Sequence, residues 1–185
     1  YITAQFPYNK YVDLKEKYYE EGLDYFNTFS GFGDKKILSI EQEYNFKVDK
    51  YNFTGKIDLE CPDEIIDHKT KGEQHLKRLT KKHNKDDYIE MQDGRYIHYE
   101  NFIQLYIYSI PYRNKYRCYP KKLSLNMLRI QDWYTIDFDP YFFEKSKQWV
   151  IDKINLIYKT DKFIKGENVD SYWCNNSCDQ RLNCP

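Results

Sequence analysis

Three β-prone runs follow one another with almost no chain between them: Lys36 to Val48, Tyr51 to Leu59 and Glu64 to Thr70. The links Asp49-Lys50 and Cys61-Pro62-Asp63 are too short for a crossover, which needs a dozen residues or more. Neighbouring runs must therefore return antiparallel, as a meander. Alternation of apolar and polar residues within the runs supports strands rather than a helix.

The rest of the chain is arranged around that meander. Val12 to Phe29 carries Leu14, Tyr18, Tyr19, Leu23 and Phe26 at near-helical spacing and reads as an amphipathic helix ending before Gly31. Tyr99 to Tyr108 has Phe102, Ile103, Tyr106 and Ile107 in a helical pattern, with Pro111 expected to close it. Leu123 to Ile130 and Trp133 to Phe138 read as strands, and about Pro140 to Tyr158 as a helix with proline in its first turn. Residues 71–98 read as an insertion; over Lys71 to Asp93 it is highly charged and poor in apolar residues, and is expected to be solvent-exposed, partly helical or mobile. The expected architecture is one α/β domain over 1–185, a small mixed central sheet flanked by helices, with a cysteine-rich tail at 173–185.

Composition adds exclusions. Hydrophobic residues at 41% and charged residues at 31% exclude a disordered or collagen-like chain, and no apolar run reaches the length of a membrane span. A formal net charge of zero means that attraction for nucleic acid must come from local charge. The 20 tyrosines could offer stacking surfaces, but an AT-rich coding composition explains them as well. Three of the five cysteines crowd into the tail, a pattern that suits metal ligands better than a disulfide framework. A reducing, cytoplasmic setting is the corresponding expectation. The chain starts at Tyr1 rather than Met and reads as a fragment or a processed, N-terminally truncated chain.

Asp67 and Lys69 are two apart on an expected strand, so their side chains leave the same face, and Asp58 at the end of the preceding strand can reach the same point. Glu41 or Glu43, one strand earlier, could supply a third acid. Clustered carboxylates repel unless a cation compensates them. Magnesium or manganese, held by carboxylates, the His68 backbone carbonyl and water, would do so. Such an ion activates water and neutralises charge on a phosphate, and Lys69 can orient that water or stabilise the transition state. The Asp-x-Lys triplet alone carries little information, because Asp13/Lys15 and Asp34/Lys36 repeat it. Only at Asp67 does it follow an apolar strand, Glu64-Ile65-Ile66, with Gly55-Lys56-Ile57-Asp58 one hairpin earlier.

In this order, Ile40-Glu41, Gly55-Lys56-Ile57-Asp58, Ile65-Ile66-Asp67-His68-Lys69-Thr70 and Gln104-Leu105-Tyr106-Ile107-Tyr108 resemble the motifs of the PD-(D/E)XK nuclease superfamily, specifically its RecB-like branch. The resemblance covers roughly residues 36 to 110. It implies a restriction-endonuclease-like core, with Glu41, Asp58 and Asp67 as metal ligands and Lys69 as the catalytic lysine. Gln104 and Tyr108 would position the active site or the DNA strand; being four apart, they share one helix face.

The tail from Trp173 resembles the cysteine cluster of iron-sulfur members, among them CRISPR-associated RecB-like exonucleases and the nuclease domains of recombination helicases. There Cys174, Cys178 and Cys184 would hold a four-iron cluster, or zinc, with the fourth ligand upstream of Tyr1. Cys174 and Cys178 are separated by three residues where those relatives have two, and no cysteine precedes Cys61.

Lys71, Lys77, Arg78, Lys81 and Lys82 follow the Asp-x-Lys strand and could track a phosphate backbone. The expected function is metal-dependent hydrolysis of DNA phosphodiester bonds, as an exonuclease on ends or single strands in recombination, repair or replication. A helicase or another recombination or replication protein is the expected partner. The alternative is an inactive nuclease-like module that binds DNA or acts as a scaffold in a larger complex.

Overall fold

Asp13 starts the first helix: its carboxylate accepts from the backbone N–H of Lys15 at 2.9 Å and of Glu16 at 3.2 Å, capping α1 (Leu14–Thr28). In this computed structural model, residues 8, 10–70 and 85–160 are described. The chain divides into two units, Tyr1–Lys147 and Gln148–Pro185. Among the described residues, the second consists of the latter part of the last helix and Thr160.

β1 (Ser39–Val48), β2 (Tyr51–Glu60) and β3 (Glu64–Lys69) form the antiparallel meander expected from their short links. β4 (Tyr88–Glu90) and β5 (Tyr96–His98) form a separate two-stranded hairpin. A 3-10 turn, Tyr99–Phe102, leads into α2 (Ile103–Tyr116). β6 (Lys122–Met127) lies parallel to β3, β7 (Asp132–Asp137) pairs antiparallel with β6, and α3 (Pro140–Lys159) follows. The main sheet is thus mixed and five-stranded, in the order β1-β2-β3-β6-β7. The crossover from β3 to β6 lets two neighbouring strands run parallel, and α2 lies within it. β3 holds the central position, with Ile65 and Ile66 fully buried. Among the described residues no helix is long and apolar enough to cross a membrane.

Two local expectations are corrected. Pro111 does not close α2 but sits inside it, and the helix runs on to Tyr116. Proline removes one intrahelical bond and crowds the carbonyl four residues back, at about 3 kcal/mol. Burial offsets that cost: Leu105, Tyr106, Pro111 and Tyr112 are all buried, and the Tyr112 hydroxyl donates to the Cys61 carbonyl at 2.8 Å. The insertion is not exposed throughout. Residues 71–84 lie outside the described residues, but from Tyr88 onward Ile89, Met91 and Ile97 are buried. Three apolar side chains spread over a short hairpin give no strong periodic signal, yet are enough to fix it.

α1 occupies the expected place but buries none of its residues; Leu23 and Phe26 are exposed. Its ties are polar and aromatic instead. Glu21 accepts two bonds from Arg129, at 2.7 and 2.9 Å, and Tyr25 stacks on Phe29.

Candidate active site

The hydrogen-bonded ladder between β2 and β3 is short. Glu60 pairs with Ile65 and Leu59 with Ile66, and there the pairing stops. One step further along the same register, Asp58 would stand opposite Asp67. At that point the Asp58 carboxylate takes the place of a backbone acceptor, receiving the His68 N–H at 2.7 Å. The strands therefore open with the gap bridged by a side chain.

Backbone direction at His68 follows from its neighbour. The Lys69 carbonyl accepts from the Leu128 N–H at 2.9 Å, on the β6 side. In extended chain, the N–H and C=O of one residue face the same edge and successive residues face opposite edges. The His68 carbonyl is therefore directed to the β2 side, where its N–H meets Asp58. The His68 ring is engaged elsewhere, with its Nδ1 3.2 Å from Asn126 Nδ2 and the ring tilted against Phe32.

Asp67 is 3% exposed, and Lys69 Nζ lies 2.5 Å from its Oδ2. The contact is close but poorly directed: Oδ2 is buried without a hydrogen bond of acceptable geometry. Burial pushes the Asp67 carboxyl above its ordinary pKa, and the Asp58 charge adds to that, while Lys69 pulls the other way without prevailing. This carboxylate is poorly compensated by the protein alone.

Lys69 has a second partner. Its ammonium donates to Gln104 Oε1 at 2.8 Å, and the other end of that amide, Nε2, donates to the Tyr108 hydroxyl at 3.2 Å. Gln104 and Tyr108 are one turn apart on α2, which explains how a helix can present both to one strand. Tyr108 in turn rests on β2 where there is no side chain: a Cβ added to Gly55 would lie 2.6 Å from Tyr108 Cε1.

Asp58, Asp67, the His68 main chain, Lys69, Gln104 and Tyr108 are thus brought together. Glu41 is not. It falls where the β1–β2 register skips a pair, between Ile40↔Leu59 and Gln42↔Ile57, has a left-handed backbone, φ 51°, and forms an ion pair with Lys56 in which both side chains are 54% exposed. Glu43 aligns with Lys56 in the β1–β2 register. Among the described residues no three His, Cys, Asp or Glu side chains converge to hold a metal ion. Two carboxylates and a carbonyl are nevertheless a hard-oxygen set suited to a divalent cation whose other positions are filled by water. The buried Asp67 carboxylate, held above its ordinary pKa even with Lys69 beside it, is the feature that fits such an ion best. Lys71, Lys77, Arg78, Lys81 and Lys82, and likewise Cys174, Cys178 and Cys184, lie outside the described residues.

The role of Gly55 beneath Tyr108 was not read from the sequence. The available signal was a glycine inside a β-prone run, which often marks close approach of another group. No family model, curated protein or solved structure matches this chain.

Proposed function

We propose that this protein is a divalent-metal-dependent nuclease hydrolysing DNA phosphodiester bonds at the open end of the β2–β3 hairpin. The observation that carries the reading is the buried Asp67 carboxylate, raised in pKa and without a well-directed partner, beside Asp58 and Lys69. Burying such a group is costly, and structures that need only stability compensate it fully or replace it. A site that exchanges a proton for a hard cation gains from leaving it undercompensated.

Asp58, Asp67 and the His68 carbonyl would hold magnesium or manganese, which when bound supplies a more acidic water and neutralises charge on the phosphate. Lys69 contributes a fixed positive charge beside the reacting group, suited to the charge that builds on phosphoryl oxygens in the transition state. Gln104 restrains the direction of that ammonium. Exonuclease action on ends or single strands, in recombination, repair or replication, rests on the resemblance of the four motifs to the RecB-like branch. The engagement of Glu41 with Lys56, which leaves two acids at the hairpin opening, favours the second reading, a module that binds DNA without cutting it.

The test is incubation of labelled single- and double-stranded DNA with the purified protein and with Asp67→Ala, in magnesium, manganese or chelator. Cleavage that requires metal and is lost in the variant is expected. Cleavage in chelator, or undiminished in Asp67→Ala, overturns the assignment. DNA retained but never cut, in any metal, selects the second reading.

A further inference from the structure

The hydrogen bonds from Lys69 to Gln104 and from Gln104 to Tyr108 form a chain that ends on a rigid ring, and the ring ends on bare backbone. Gly55 lies mid-strand in β2, where glycine weakens a sheet and is normally replaced by a side chain that packs. It is not there for an unusual backbone angle, since its φ is not in the left-handed region. What requires it is space. A Cβ would come 2.6 Å from Tyr108 Cε1 and 3.4 Å from Tyr108 Cζ, with Phe46 Cε1 at 3.4 Å closing the other side. Phe46 is itself stacked on Phe53, with ring centroids 5.8 Å apart, so it has little freedom to withdraw.

We infer that Gly55 is a positioning residue: its missing side chain is the socket that seats Tyr108, and through Tyr108 and Gln104 it sets the direction of the Lys69 ammonium beside Asp67. The inference deepens the nuclease reading and rests on it for its catalytic meaning, but its geometric content stands independently. Each link is a single contact. The Gln104 amide has one orientation in which Oε1 accepts from Lys69 while Nε2 donates to Tyr108. The ammonium, which can only donate, itself selects Oε1; what the Tyr108 hydroxyl adds is an anchor for the Nε2 end, so that if it moves away the amide is held at one end only and the carbonyl that faces Lys69 is free to swing. An added methyl at Gly55 is relieved most easily by rotation of the Tyr108 side chain, because the alternative is to shift a paired strand. That rotation is the motion that breaks the chain.

The experiment compares wild type with Gly55→Ala, Tyr108→Phe and the double variant. Tyr108→Phe keeps the ring and its packing but removes the hydroxyl, so it tests the relay without testing the socket. Two readouts are taken: acylation of the Lys69 amine by a water-soluble succinimidyl ester, followed by mass spectrometry, and kcat and KM for metal-dependent DNA cleavage. Thermal melting of every variant accompanies them.

Gly55→Ala and Tyr108→Phe are each expected to increase Lys69 labelling several-fold and to lower kcat about tenfold with KM little changed. The double variant should be no worse than Gly55→Ala alone, as for residues acting in one chain. Wild-type labelling of Lys69 in folded Tyr108→Phe overturns the relay. Additive effects in the double variant overturn the link between socket and hydroxyl. If Gly55→Ala fails to fold, Tyr108→Phe together with Gln104→Ala still decides whether the relay exists. Changed labelling in all variants of a protein that cuts no DNA would keep the relay and sink the nuclease reading instead.

Discussion

Glu60 and Asp67 lie buried towards the two ends of one hairpin, and they are treated oppositely. At the closed end, Glu60 is fully buried and surrounded by donors: the Tyr44 hydroxyl, the Tyr116 hydroxyl at 2.8 Å and the Lys115 ammonium at 3.1 Å. Burial pushes its pKa up, but those donors outweigh it and hold the carboxyl below its ordinary value. At the open end, Asp67 is almost as deeply buried, has one poorly directed cation, and ends above its ordinary value. The lesson is that depth of burial does not assign a role to a charged group. Glu60 ties the C-terminal end of α2 to β1 and β2, whereas Asp67 is left undercompensated, as the proposed metal site requires.

The sharpest way to break this contrast is to remove each charge by an amide. Asp67→Asn should lower metal-dependent cleavage by about 10³-fold, roughly 4 kcal/mol of transition-state stabilisation, measured as kcat/KM on labelled DNA. The same substitution at the other end should act on the fold. Glu60→Gln leaves the partly exposed Lys115 and two tyrosine hydroxyls facing a neutral amide and should cost about 2 kcal/mol, lowering the melting temperature by roughly 4–8 °C in calorimetry.

The two groups should also respond to pH with opposite sign. Glu60 has a depressed folded pKa, so its contribution is present above the ordinary carboxylate range and is lost as pH falls through the depressed value. Asp67 has a raised folded pKa, so the protein loses stability as pH rises from the ordinary value through the raised one. Asp67→Asn should therefore flatten the upper window and gain about 1 kcal/mol at neutral pH, read from urea melts across pH. If Asp67→Asn instead destabilises the protein, the two carboxylates are alike and the contrast fails. Lys56→Gln should produce the smallest effect. Its pair with Glu41 is exposed, and the melting temperature should move by less than about 1 °C.

Much of this was legible because the strongest constraints are local. The Asp49-Lys50 and Cys61-Pro62-Asp63 links dictate the meander, and the strand period puts Asp67 beside Lys69 without reference to anything distant. α2 was legible at its start but not at its end, since only the buried contacts of Tyr112 explain a helix that continues through Pro111. The hairpin of β4 and β5 was hidden by the charge around it, its burial resting on Ile89, Met91 and Ile97. The diversion of Glu41 could not be read either, because a left-handed residue within a strand leaves no mark in an alternating pattern. The donors around Glu60 come from β1 and from α2, so no sequence window contains them. Gly55 was visible, but its reason lay on a helix roughly fifty residues later.

The parallel pairing of β3 with β6 carries a kinetic consequence. The strand bearing Asp67 and Lys69 gains its second neighbour only when chain some 60 residues downstream returns, as the Ser124–Glu64 contact illustrates. Non-local pairings of this kind form late, because loop closure must precede any energetic return. The hairpin can close early from its own turn, but β3 is held on both edges only at the end of folding. The pairing of Asp67 with Lys69 on a fully held strand should therefore lag behind acquisition of β structure during refolding, and under the proposed nuclease reading a half-formed chain would not yet cut nucleic acid.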